Sequence, residues 1–266
     1  MMAATAPVQQ QAIIIRPQAG PQEAFLSTPA DIAIYGGAAG SGKSFGMIID
    51  PLRHITTVPG FSATIFRRTT PQITSQGGLW ATASEIYPLL GAAPNSTDLK
   101  WVFPPYRNTV KFAHLEYERH VYDYQGAQIP LIEFDELTHF TEFQFWYLTS
   151  RNRSVCGVKP YIRATCNPVP EDDPVGGWVA KFFSWWIDQE TGFPIPERAG
   201  VLRYFVRTNN VLIWADSPEE LAQEYPEIPS RSATFIPAKL TDNPALTSKD
   251  PQYRANLMAL PYVEMM

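Results

Sequence analysis

Apolar residues in this chain gather in short runs, set apart by polar stretches rich in proline and glycine. DIAIY (31–35), SATIFRR (62–68), IPLIEF (129–134), YIRATC (161–166) and TFIPA (234–238) read as buried strands. LKWVF (99–103) and NTVKFAH (108–114) read as a hairpin around PPYR. VLRYFV and VLIWA flank Asn209-Asn210, a dipeptide that accepts the left-handed conformation a tight hairpin needs. Helix starts are marked by their caps. Thr141 with Gln144 forms a capping box, with Phe140 and Phe145 at staple positions. The helix that follows, 142–150, is expected to bury Phe143, Trp146 and Tyr147. Ser217, Pro218 and Glu220 start a short acidic helix, and Asp250-Pro251 starts a last one. WVAKFFSWWIDQE (178–190) reads as a core helix or a docking surface.

Strands alternating with helices predict an α/β fold with a mainly parallel central sheet flanked by helices, plus β-hairpin additions. Residues 1–20, rich in Gln, Ala and Pro, are expected to be a flexible arm, and residues 21–266 one domain without an internal linker. The 266 residues are 45% hydrophobic, enough for a large core. No apolar run is long enough for a transmembrane helix, and the N-terminus lacks the charged and apolar regions of a secretory signal. Cys156 and Cys166 are too few for a disulfide framework or zinc site and are expected to be reduced thiols. The net charge of −5 is unlike that of a dedicated nucleic-acid binder, yet permits a local basic patch.

The chemistry begins at GGAAGSGKS (36–44). Gly37, Gly42, Lys43 and Ser44 match G-x-x-x-x-G-K-[ST], with a strand before the loop and helical residues, FGMII, after it. Glycines let backbone amides turn in around a polyphosphate. Lys43 is placed to reach the β and γ phosphates, Ser44 to hold Mg²⁺, and the helix N-terminus adds its dipole. Pro51 should kink or end that helix within about two turns. LIEFDE (131–136) puts Asp135 and Glu136 at the end of a strand. Asp135 is placed opposite Ser44 for the metal, and Glu136 to polarise a water. A water-activating acid favours nucleotide hydrolysis over transfer to a second substrate. Glu133, inside the strand, must face solvent, an interface or a basic partner. YIRATC is expected between the loop strand and the acidic strand, so that Asn167 ends beside the nucleotide and senses the γ-phosphate.

In order along the chain, GPQEAFLSTPADIAIYGGAAGSGKS, FRRTTPQI, YQGAQIPLIEFDELTHFTE, LTSRNRS, ATCNP and FIPAKLTDNPAL resemble the ATPase domain of the large terminase subunit of tailed bacteriophages. The resemblance runs from about Gly20 to the C-terminus. It implies a P-loop NTPase of the ASCE type that uses ATP and Mg²⁺. It implies a phosphate-loop set of Gly37, Gly40, Gly42, Lys43, Ser44 and Phe45, and adenine recognition by Gln22 with Phe25 near the base. It implies coupling of hydrolysis to movement by Thr165 and Asn167. Its implied partners are double-stranded DNA, the portal protein, the small terminase subunit and other copies in a ring, although the isolated chain can be monomeric. Its implied place is the host cytoplasm, transiently at the procapsid portal, with no membrane partner. Ring ATPases commonly complete one site with a neighbour's arginine; Arg151 and Arg153 are the candidates here, with Arg119 a third. Arg67 and Arg68 could touch DNA phosphates or support the loop.

The sequence departs from the family in two ways. Some members carry an arginine inside the phosphate loop, and this loop has none. Full-length members continue into a nuclease domain, which is expected to be absent here, with no DNA cutting. Two other readings fit the same loop and acidic pair: a helicase-like nucleic-acid-stimulated ATPase, and a module whose ATP controls ring assembly.

Overall fold

The computed structural model describes residues 14–37, 39–250, 252, 253 and 255. In chain order its elements begin with helix α1 (Pro21–Ser27), strand β1 (Ile32–Gly37), helix α2 (Lys43–Ile49) and strand β2 (Ser62–Arg67). Helices α3 (Thr70–Thr74) and α4 (Leu79–Ile86) lead to strands β3 (Ala93–Asn95), β4 (Lys100–Phe103), β5 (Asn108–His114) and β6 (Leu131–Phe134). Helix α5 (Glu142–Thr149), strand β7 (Tyr161–Cys166), helix α6 (Gly177–Phe182) and strands β8 (Arg203–Thr208) and β9 (Val211–Ala215) follow. Helix α7 (Pro218–Glu224), strand β10 (Arg231–Ala238) and helix α8 (Pro244–Thr247) complete the series.

The strands form one ten-stranded sheet in the order β3-β4-β5-β2-β6-β7-β1-β10-β8-β9. From β5 to β10 every neighbour is parallel. Each edge is finished by antiparallel strands, β4 and β3 on one side, β8 and β9 on the other. Strand β7 lies between β1 and β6, the expected arrangement. Asn209 and Asn210 both take positive φ, 50° and 62°, so the β8–β9 turn forms as their residue types predict.

The pleat sends alternate side chains to two cores. One face buries Ala33 and Tyr35 of β1 with Ala63 and Ile65 of β2 under α1, α2 and α4. The other buries Ile32, Ile34, Ile132 and Phe134 under α5 and α6. Helix α2 ends at Ile49, and Pro51 belongs to a following 3₁₀ turn, as its missing N–H and fixed φ require.

Two expectations change. Helix α5 starts at its capping box, with Gln144 N donating to Thr141 Oγ1 and Thr141 N to Gln144 Oε1. Its buried face, however, is Gln144, Phe145 and Leu148. Phe143 is exposed, and Trp146 and Tyr147 are half-buried, because Gln144 turns inward to donate to the carbonyl of Leu115 at 3.0 Å. The stretch 178–190 is a short helix followed by a 3₁₀ turn, and it sends Val179, Phe182, Phe183 and Trp186 into the core. Ser217 caps the acidic helix as expected, accepting from Glu220 N at 3.3 Å. Residues 1–13 and Pro251, where an arm and a last helix are expected, lie outside the described residues. Among the described residues no helix is long and apolar enough to cross a membrane.

Candidate nucleotide site

Parallel strands all point their C-terminal ends at one edge of the sheet. Three of them carry the site there. Strand β1 runs into the loop, β6 into Asp135 and Glu136, and β7 into Asn167.

The loop is held by its carbonyls. Tyr35 Oη donates to Ser41 O at 3.2 Å, Gln22 Nε2 to Gly42 O at 2.8 Å, and Asn243 Nδ2 to Gly40 O at 2.6 Å. Lys43 Nζ donates back to Gly37 O at 2.8 Å. With its carbonyls tied to the surrounding protein, the loop is left to offer its amides to an anion. Gly40 and Gly42 have φ of 77° and 83°, a conformation that glycine takes without steric cost. Gly37 is required for a second reason: a Cβ there would stand 2.1 Å from the carbonyl oxygen of Ala238 on β10. Ser44 is exposed in the first turn of α2, and Phe45 beside it is half-buried against the core.

The acidic pair is fixed by its neighbours. Thr165 Oγ1 donates to Asp135 Oδ1 at 2.7 Å and accepts from Glu136 N at 3.0 Å. Arg67 Nη1 donates to Asp135 Oδ2 at 2.8 Å and stands 3.9 Å from Glu136 Oε1. Asn167 N donates to Glu136 Oε2 at 3.2 Å, and its Oδ1 accepts from Lys43 Nζ at 2.9 Å. Thr138 Oγ1 adds a further bond to the group by donating to Asn167 O at 3.3 Å. Glu136 itself sits at φ 59° and ψ 68°, a left-handed conformation. For a residue with a side chain this costs about 1–3 kcal/mol, and such strain collects where function over-determines the backbone.

Burial shapes the charges. It pulls Lys43 below the ordinary lysine range, while Glu136, Cys166 and Asp135 act to keep it charged. Burial pushes Asp135 up, and Arg67 opposes this. The Cys166 thiol is pushed up to about 12 by burial and carries no nucleophilic role; both cysteines are free.

The exposed hydroxyl of Ser44 and the carboxylate of Asp135 are the hard-oxygen groups that could hold Mg²⁺, with phosphate oxygens and waters in the other positions. Among the described residues no cluster of three or more His, Cys, Asp or Glu forms a metal site without them.

The remaining candidates have these places in the fold. Gln22 is buried and engaged, its Oε1 accepting from Gln18 N at 2.7 Å while its Nε2 braces Gly42. Phe25 stacks on Tyr35 inside the core. An open cleft of about 630 Å³ beside Glu136 and Asn167 is lined by Arg67 and Arg68, and not by Arg119, Arg151 or Arg153. Arg151 packs over the ring of Tyr147, Arg119 over Tyr117, and Arg153 donates to the carbonyl of Ala127. Arg67, whose place the sequence leaves open between DNA phosphates and support of the loop, stands against the acidic pair. Its signal lies in the topology: β2 pairs with β6 with Phe66 opposite Phe134, which sets Arg67 beside Asp135.

Glu133 is fully buried, in register with Arg163 of β7, yet neither of its carboxyl oxygens is hydrogen-bonded, and Arg163 donates instead to the carbonyls of Thr28, Ala30 and Ile162. Asp50 shares this pocket of charge. Burial pushes both carboxyls up, the charge of Asp50 adds to the push on Glu133, and Arg163 opposes at both.

Residues 34–264 match the family described as terminase large subunit, T4likevirus-type, N-terminal. The chain belongs to that family. No curated protein matches it. In three dimensions this terminase chain is similar to the large terminase of a thermophilic bacteriophage in complex with ADP, with a TM-score of 0.57 and 16% identity. That likeness covers 92% of this chain and 51% of the other, so the terminase chain spans about half the length of that phage protein. It is also similar to the Thermus phage P74-26 large terminase ATPase domain, with a TM-score of 0.54, 13% identity, and coverage of 92% and 90%. At these identities the likeness carries the fold alone, a helix-flanked, mostly parallel sheet.

Proposed function

We propose that the chain is the ATP-hydrolysing motor domain of a large terminase, which uses ATP to drive double-stranded DNA into a procapsid. One observation carries the reading: Lys43, Asp135, Glu136 and Asn167 converge in a single hydrogen-bonded cluster at the C-terminal edge of the sheet. In this reading the loop amides cradle the phosphates, and Lys43 leaves Asn167 to bind the β and γ oxygens. Ser44 and Asp135 would hold Mg²⁺, which would neutralise charge on the phosphates. Glu136 orients and polarises the attacking water. Arg67 opposes the burial that raises the Asp135 carboxyl and adds positive charge from within the chain, which suits a loop that carries no arginine of its own.

Asn167 bonds both Lys43 and Glu136, so departure of the γ-phosphate changes its partners and moves the segment after it. Gln22 recognises adenine by exchanging one of its present bonds for the base. A neighbouring copy supplies a further arginine, with Arg151, Arg153 and Arg119 as candidates. The DNA is held by its phosphates, independent of sequence and weakened by salt. The portal protein and the small terminase subunit are the expected partners, in the host cytoplasm at the procapsid.

The test is steady-state ATP hydrolysis with and without double-stranded DNA, beside Glu136→Gln. Hydrolysis that DNA stimulates and the substitution abolishes is expected. Equal turnover by the variant would overturn the assignment of Glu136, and indifference to DNA at low salt would overturn the motor reading.

A further inference from the structure

Strand β10 runs beside β1 with Ala238 opposite Gly37, so the chain leaves the sheet directly against the outer side of the phosphate loop. It turns at once, with Lys239 N donating to Asp242 Oδ2 at 2.7 Å and Asp242 N to Lys239 O at 3.0 Å. This turn delivers Asn243, which is buried and uses both ends of its amide. Its Nδ2 donates to Gly40 O at 2.6 Å, while its Oδ1 accepts from Gln18 Nε2 at 2.8 Å and from Leu246 N at 3.2 Å. Gln18 in turn donates its backbone N–H to Gln22, which braces Gly42.

Apolar contacts reinforce the grip. A Cβ at Gly40 would stand 2.5 Å from the Tyr253 ring and 3.0 Å from both Leu240 and Leu246, so this segment lies directly on the loop. Two segments 225 residues apart thus meet through one amide and hold the loop from both sides.

We propose that Asn243 is a positioning residue that ties the 239–253 segment to the phosphate loop, so that nucleotide in the loop stiffens that segment. The inference rests on the nucleotide reading of the loop. Coupling is reciprocal: if nucleotide orders the segment, the segment's grip tightens nucleotide binding by the same factor.

Two substitutions separate this role from a structural one. Asn243→Ala removes every side-chain bond. Asn243→Asp keeps the acceptor for Gln18 and for the cap of α8, where Asp is a good cap, but cannot donate to Gly40 O. A residue that merely starts α8 is rescued by Asp; a residue that positions the loop is not. The probe is ADP, read by calorimetric affinity and by hydrogen exchange of residues 239–253.

Both variants are expected to melt within a few degrees of wild type yet bind ADP roughly fivefold to tenfold more weakly, the effect of the bond to Gly40 O that both lose. ADP should slow exchange in 239–253 of wild type and not of either variant. Wild-type affinity in Asn243→Asp, or exchange in 239–253 of wild type indifferent to ADP, overturns the proposal. Failure of wild type to bind ADP overturns the nucleotide reading itself, and this inference with it.

Discussion

Lys43 and Asn167 are hydrogen-bonded, Nζ to Oδ1 at 2.9 Å, although 124 residues separate them. The bond exists because β7 lies directly beside β1 and both strands end at the same edge. A buried ammonium is thereby kept partnered by a neutral group that can release it. Asn167→Asp would offer a carboxylate instead and hold the lysine more firmly. Hydrolysis should fall about a hundredfold, the scale of losing one transition-state donor. Asn167→Ala frees the lysine from this bond but keeps the backbone N–H link to Glu136; with the side chain between lysine and γ-phosphate gone, it should lower kcat more than it alters KM. Steady-state kinetics on both variants checks the pair.

Burial raises the Asp135 carboxyl, and the Arg67 guanidinium is the strongest influence against it. Arg67→Ala removes the opposition, so the acid limb of the pH–rate profile should move to higher pH. Arg67→Lys keeps a charge and should return part of the shift. A profile unmoved by Arg67→Ala would separate this arginine from the carboxylate's ionisation.

Thr165 serves two partners with one hydroxyl. Thr165→Val keeps the shape and leaves Asp135 Oδ1 and Glu136 N without their bond. The cost to stability should be about 1–3 kcal/mol, measured by urea unfolding. Because Glu136 loses its anchor, kcat should fall while ADP affinity stays near wild type.

Glu133 should make stability depend on pH in the unusual direction for a carboxylate. Its folded-state pKa is raised by burial and by Asp50. The folded protein therefore holds a proton that the unfolded chain releases above its ordinary value near 4.5. Stability from this group is complete at acid pH and declines as pH rises from that value toward the raised one. Glu133→Gln removes the decline. The variant should gain stability over wild type at pH 8 and lose that gain near pH 4, in paired denaturant titrations.

Much of this site is legible in the sequence because its parts are contiguous. The residues from Gly37 to Ser44 form one short motif, and Asp135-Glu136 end one apolar strand, so local pattern suffices. Strand alternation points to the sheet, and the caps mark the helix starts. What local pattern misses is what strand order brings together. Arg67 is an ordinary strand-end arginine until β2 is known to lie against β6. Asn243 is one turn residue among many until β10 is known to lie against β1. The inward face of α5 escapes the sequence for a different reason. Aromatic content suggests burial of Phe143, whereas the capping glutamine also reaches the Leu115 carbonyl and rotates that face.

The left-handed backbone at Glu136 carries a consequence for this protein's history. Any residue that relaxes there, glycine above all, would leave a sturdier fold. A library selected for heat resistance alone should drift away from glutamate at this position, and one selected for turnover should return to it. Endurance and work are opposed at a single residue, and the fold as it stands records which of them was kept.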